Sequence, residues 1–161
     1  MSKVKVLFVC LGNICRSPLA EGIFMQKISE KGLSNHFEID SCGTSTYHIG
    51  EQPDLRTIAN AIKNGIELYH KGRQLIYLDF LNYDYILPMD QSNKRDVEKL
   101  RPEDAKAEVL MMRYFDPLNK DADVPDPYYD GEKGFQEVFE ILDRSSSTLL
   151  DFLIQKHLNQ A

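Results

Sequence analysis

The chain has 161 residues, 42% apolar and 27% charged, with a formal net charge of −6. That length suffices for one domain with its own core, expected to span residues 1–161, and the composition excludes wholesale disorder. An acidic chain without a dense Lys/Arg run gains little from counterion release on a phosphate backbone, so no nucleic-acid partner is expected.

Residues 3–9 form a short, continuous, β-rich apolar run that ends at a glycine-containing turn, the pattern of a strand buried on both faces. Lys3 and Lys5 ahead of Val6–Leu11 faintly resemble a leader. The run continues instead into Gly12-Asn13-Ile14-Cys15-Arg16 and lacks a small-residue cleavage site. Ser17 reads as an N-cap with Pro18 at the first helical position. Leu19, Ala20, Ile23, Phe24 and Ile28 then follow at helical spacing until Gly32. A second strand is predicted at 37–41, and an amphipathic helix runs from Pro53-Asp54 through Ile58, Ala59 and Ile62 to Gly65. A third strand is predicted over 83–89, a polar helix over 91–100 and a fourth strand over 108–112. Residues 116–134 hold three prolines and many acidic residues without periodicity, a long loop of the kind that carries function. Residues 135–157 give the closing helix.

Strands alternating with helices predict an α/β domain, a four-stranded parallel sheet with helices on both faces (doubly wound), whose ligand site lies beyond the carboxyl ends of the strands. No apolar run reaches the ~20 residues that span a bilayer, so no membrane association is expected. Three cysteines, an odd number in a chain with its own core, point to a reducing, cytoplasmic compartment. They lack the spacing of zinc ligands, and His36, His48, His70 and His157 form no paired motif, so neither metal nor cofactor is expected.

The chemistry concentrates in Cys10-Leu11-Gly12-Asn13-Ile14-Cys15-Arg16-Ser17, where a strand-end thiol precedes a guanidinium by six positions at the start of a helix. Cys-x5-Arg alone is a weak signal; Gly12, Ser17 and the strand-turn-helix context make it strong. Unpaired N–H groups at a helix start converge on one point and the helix dipole adds positive potential, which suits a phosphate-sized dianion. Gly12 permits close backbone approach, Asn13 tolerates a left-handed conformation, and Arg16 offers bidentate donors to two phosphoryl oxygens. Cys10 lies in the same field, which favours a nucleophilic thiolate.

The segment Val9 to Pro18 resembles the signature of low molecular weight protein tyrosine phosphatases. The likeness continues in Asp40-Ser41, Gly50-x-x-Pro53-Asp54-x-Arg56, His70 with Arg73-Gln74, Met89-Asp90-x-x-Asn93 and Asp126-Pro127-Tyr128-Tyr129. The resemblance implies hydrolysis of protein phosphotyrosine or small aryl phosphates through a cysteinyl-phosphate. It makes Cys10 the nucleophile, Arg16 the phosphate clamp and Asp126 the general acid and base; from spacing alone, Asp126 is one of several candidates in its loop. It also implies that Ser17 donates to the thiolate and that Asn13, Ser41 and His70 brace the loop of Leu11, Gly12, Asn13, Ile14 and Cys15.

By the same likeness Leu11, Tyr47, Tyr128 and Tyr129 line the cleft, Tyr47 standing where many members carry Trp. Phosphorylation of Tyr128 or Tyr129 by a tyrosine kinase is a further implied partner relation. Cys15 is implied to capture an oxidised Cys10 as a disulfide, the alternative being a packed thiol; Cys42 reads as buried and inert. Two other functions fit the same fold. A protein-arginine phosphatase is implied to carry Thr at the position of Ile14, and a non-catalytic phosphate-binding module would not need nucleophile, clamp and acid together.

Overall fold

The computed structural model describes residues 2–159. Strand β1 (Val4–Cys10) is the fold's axis, pairing in parallel with β2 (Phe37–Gly43) on one side and β3 (Tyr85–Pro88) on the other. A two-residue β4 (Glu108–Val109) extends the sheet beside β3, giving the order β2-β1-β3-β4.

Between the strands run α1 (Arg16–Glu30), α2 (Leu55–Lys63), a single turn α3 (Asp79–Asn82) and α4 (Gln91–Leu100); α5 (Glu132–Leu153) closes the chain and ends in a π turn, Ile154–Leu158. Pleating sends successive β1 side chains to opposite faces. Val4, Val6, Phe8 and Cys10 meet Leu19, Ile23, Phe24, Ala61, Leu142 and Leu149 from α1, α2 and α5. Leu7 and Val9 meet Phe80 and Val97 from α3 and α4 on the other face. The sheet is thus covered on both sides, the doubly wound arrangement expected from the alternation of elements. At β1 the strand order reverses, since β2 lies to one side and β3 to the other, so a crevice opens beyond the end of β1.

Three local expectations change, and one short helix lies outside them. Ser17 does not cap α1: the helix starts at Arg16 with Cys15 in the cap position, leaving the Ser17 hydroxyl for Cys10 and Asn13. The fourth strand stops after Val109, and a 3-10 turn occupies Met112–Phe115. Helix α3 has too few residues to show a period. Helix α5 begins at Glu132, three residues before its apolar face starts at Phe135.

The two remaining helix starts follow their sequence signals. Asp54 accepts from the Arg56 N–H at the head of α2, and Asp90 accepts from the Asn93 N–H at the head of α4.

Candidate active site

The loop from β1 into α1 occupies the crevice. Asn13 takes φ 56°, the left-handed region that Asn tolerates, and its N–H donates to Cys10 Sγ at 3.2 Å. Ser17 Oγ lies 3.0 Å from the same sulfur. Among the described residues, the N–H groups of Gly12, Ile14, Cys15 and Arg16 have no partner within the chain. Donors left open around a helix start make an anion cradle. Gly43, paired with Cys10 across the sheet, allows the loop to sit this close: a Cβ there would lie 2.7 Å from the Leu11 carbonyl oxygen and 3.2 Å from the Asn13 nitrogen.

A buried network holds the loop from behind. Asn13 Nδ2 donates to Ser17 Oγ at 2.8 Å and to Ser41 Oγ at 3.1 Å. Asn13 Oδ1 accepts from the Arg73 N–H at 3.0 Å and from His70 Nε2 at 2.6 Å. The amide donor of Arg73 fixes which Asn13 atom is oxygen, and hence which His70 nitrogen carries a proton.

Arg16, 3% exposed, forks toward three oxygens. Its Nη1 donates to Asp90 Oδ2 at 2.6 Å and to the Val124 carbonyl at 3.1 Å, while Nη2 stands 3.6 Å from Asp126 Oδ2. Asp90 therefore does two jobs, capping α4 with one oxygen and holding the guanidinium with the other. Val124 links the guanidinium to the acidic loop two residues before Asp126, and its own N–H donates to Met89 O at the end of β3.

Cys10 is nearly buried at the floor of a cleft of about 400 Å³, with Leu11, Tyr47, His48, Asp126, Tyr128 and Tyr129 among its walls. Arg56 lies 5.2 Å over the Tyr128 ring and 4.9 Å over Phe135, joining α2 to that wall.

Burial opposes the charge on Arg16, but the Cys10 sulfur, Asp90 and Asp126 outweigh it and raise its pKa further. The other two thiols are held protonated: burial pushes Cys15 up to about 12 although the neighbouring Thr57 hydroxyl draws it down, and burial likewise raises Cys42.

The structure brings Cys10, Leu11, Gly12, Ile14, Cys15, Arg16, Asp126 and the three tyrosines onto one cleft, and Asn13, Ser17, Ser41 and His70 into one network behind it. Sequence reasoning missed the role of Asp90, the Val124 carbonyl, Gly43 and His48. His48 packs where a Cβ on Gly12 would lie 3.1 Å from its ring. Of these only Asp90 stood in a segment singled out by the sequence, Met89-Asp90-x-x-Asn93, and without a role.

An α/β sheet with a loop of open N–H groups at its switch point, a thiol at the loop's base and a guanidinium at its end has the chemistry to hold a phosphate-sized anion. The family model described as low molecular weight phosphotyrosine protein phosphatase matches residues 5–160. A relative of that name from Schizosaccharomyces pombe is 43% identical over 148 residues, covering 91% of this chain and 95% of the relative. One from Gallus gallus is also 43% identical, with coverages of 91% and 93%. The crystal structure of a protein tyrosine phosphatase from Entamoeba histolytica, with Hepes in its active site, superposes with a TM-score of 0.92 at 39% identity, covering 97% of this chain and 100% of that one. The chain belongs to the low molecular weight phosphotyrosine protein phosphatase family, whose members are hydrolases.

Proposed function

We propose that the chain, one domain throughout, hydrolyses protein phosphotyrosine by two displacements at phosphorus. In the first, the Cys10 thiolate attacks phosphorus, the P–O bond to the tyrosine breaks, and the phenolate leaves with a proton from Asp126. In the second, Asp126, now a carboxylate, takes a proton from water as the water oxygen attacks phosphorus. The P–S bond breaks, inorganic phosphate departs and the thiolate is restored. Open N–H groups of the loop and Arg16 hold the equatorial oxygens, whose charge is spread in the transition state. Ser17 donates to the sulfur, which stabilises it as nucleophile and as leaving group.

The observation that carries this reading is the sulfur itself, nearly buried on the cleft floor and within 3.0 Å of Ser17 Oγ and 3.2 Å of the Asn13 N–H. Leu11, Tyr47, Tyr128 and Tyr129 supply apolar walls for an aryl ring above it. Cys15 lines the same cleft, and we propose a reversible oxidation in which the sulfenic acid formed by peroxide on Cys10 condenses with the Cys15 thiol, losing water to form a disulfide. A reducing cytoplasm suits three free thiols, and no helix among the described residues is long and apolar enough to cross a membrane.

Cys10→Ser tests the nucleophile. The variant keeps phosphate binding and loses turnover of p-nitrophenyl phosphate by at least about 1000-fold; near-normal turnover overturns the assignment.

A further inference from the structure

Behind the loop, three donor atoms from three distant elements converge. His70 Nδ1 lies 3.2 Å from Glu21 Oε1 on α1 and 3.6 Å from Asp40 Oδ1 on β2, and all three atoms fall within 4.8 Å of one another. All three are close enough to reach one small ion. Bonds of 2.0–2.2 Å in a tetrahedron put neighbouring donors about 3.4 Å apart.

The donor count at His70 strengthens the case. Nε2 must donate to Asn13 Oδ1, because that oxygen can only accept. In a neutral imidazole Nδ1 is then a bare lone pair, and it faces two carboxylates that are acceptors as well. A positive centre has to stand between them, either a proton on Nδ1 or a metal ion.

The surroundings match the second. A ligating histidine ordinarily donates its other ring N–H to a fixed oxygen, which Asn13 provides. The carboxylates are oriented in turn, Glu21 by Ser41 Oγ at 2.6 Å and Asp40 Oδ2 by Arg73 Nε at 2.9 Å. Glu21 and His70, though not Asp40, also line a cleft of about 330 Å³, separate from the one above Cys10, through which an ion can approach them.

We propose that Glu21, Asp40 and His70 form a binding site for one Zn²⁺ ion, which takes the place of the Nδ1 proton and braces the loop through His70 and Asn13. No cysteine belongs to it. Sequence spacing could not reveal it, because the ligands lie on α1, on β2 and in the segment after α2.

The test uses metal-stripped full-length protein in a Cys10→Ser background, so that the active-site sulfur takes no part. Zn²⁺ titration by calorimetry gives one equivalent bound. Co²⁺ in its place gives the strong visible absorption of a tetrahedral N/O site, without a thiolate charge-transfer band. Asp40→Asn and Glu21→Gln, which keep the size of each side chain, lower Zn²⁺ affinity by more than the about 10- to 100-fold that loss of an outer partner brings. Circular dichroism checks that each is folded, and Glu21→Gln alone decides if Asp40→Asn is not. Absence of Zn²⁺ binding, affinity unchanged in the folded carboxamide variants, or a thiolate band with Co²⁺ overturns the proposal. None of these readouts needs turnover, so they are independent of the reaction proposed above.

Discussion

Asp126 stands 3.6 Å from Arg16 Nη2 with its side chain about half exposed, whereas Asp90 is bound to the same guanidinium at 2.6 Å. The two carboxylates therefore have different freedom. Asp90 is committed twice, to Arg16 and to the Asn93 N–H, and cannot swing to a substrate without uncapping α4. Asp126 is held by one loose ion pair and an N–H from Tyr128, and it faces the cleft. In the proposed reaction this freedom suits Asp126, rather than Asp90, to the acid role. Asp126→Asn lowers turnover of aryl phosphates with poor leaving groups by about 100- to 10,000-fold, the usual worth of general acid catalysis. A good leaving group such as p-nitrophenolate needs little protonation, so its departure suffers much less. A leaving-group series in steady-state assays reads the difference, and equal loss across the series shifts the role to another carboxyl.

At the scale of elements, the acidic loop is long but anchored. Buried Asp116 accepts from Arg113 Nε at 2.8 Å and from Arg144 Nε on α5 at 2.9 Å, and Arg113 Nη1 donates to the Asp123 carbonyl at 2.7 Å. Burial alone would lift the Asp116 carboxyl, but hydrogen bonds from Arg144, the Leu118 N–H and Arg113 prevail and hold it at about 2, below its usual 3.8. Because the folded state binds this proton less readily than the unfolded chain, the contribution is full above the unfolded value and fades as pH falls toward 2. It amounts to about 2 kcal/mol at neutral pH. Asp116→Asn consequently costs about 3 kcal/mol at pH 7 through the two guanidiniums it leaves uncompensated, and it flattens the loss of stability between about pH 5 and 2. Urea unfolding across that range measures both; a variant as stable as the parent, with the same acid limb, contradicts the anchor. Such anchors were illegible in the sequence, because Asp116, Arg113 and Arg144 signal nothing by spacing. What was legible had a local cause: the apolar run of β1, the helical periods of α1 and α5, and the Cys-to-Ser loop. Strand β4 was overread for the opposite reason, since residues 110–112 are as apolar as a strand, yet the strand ends at Val109 and a 3-10 turn starts at Met112. In the site, the thiol, guanidinium and left-handed Asn13 could be read locally, while Asp90, Gly43 and the Val124 carbonyl act only through contacts the fold creates.

For the whole molecule, the acidic surface gives no long-range attraction for a dianion, so recognition is local to the loop and its walls. Leu11 and the three tyrosines line the same cleft as the sulfur, apolar surface that an aryl ring can cover and the ringless side chain of phosphoserine cannot. Side by side, phosphotyrosine peptides are turned over at least about 100-fold more efficiently than phosphoserine peptides. Faster turnover of phosphoarginine peptides would reassign the substrate class while keeping the site. The central claim, that phosphorus passes through Cys10, is tested most directly by acid-quenching the protein during steady turnover of p-nitrophenyl phosphate and mapping the bound phosphoryl group by mass spectrometry. One phosphoryl group on the peptide containing Cys10, formed and lost at the rate of turnover, is the expected result. Turnover that leaves Cys10 unmodified while another residue carries the group would contradict it.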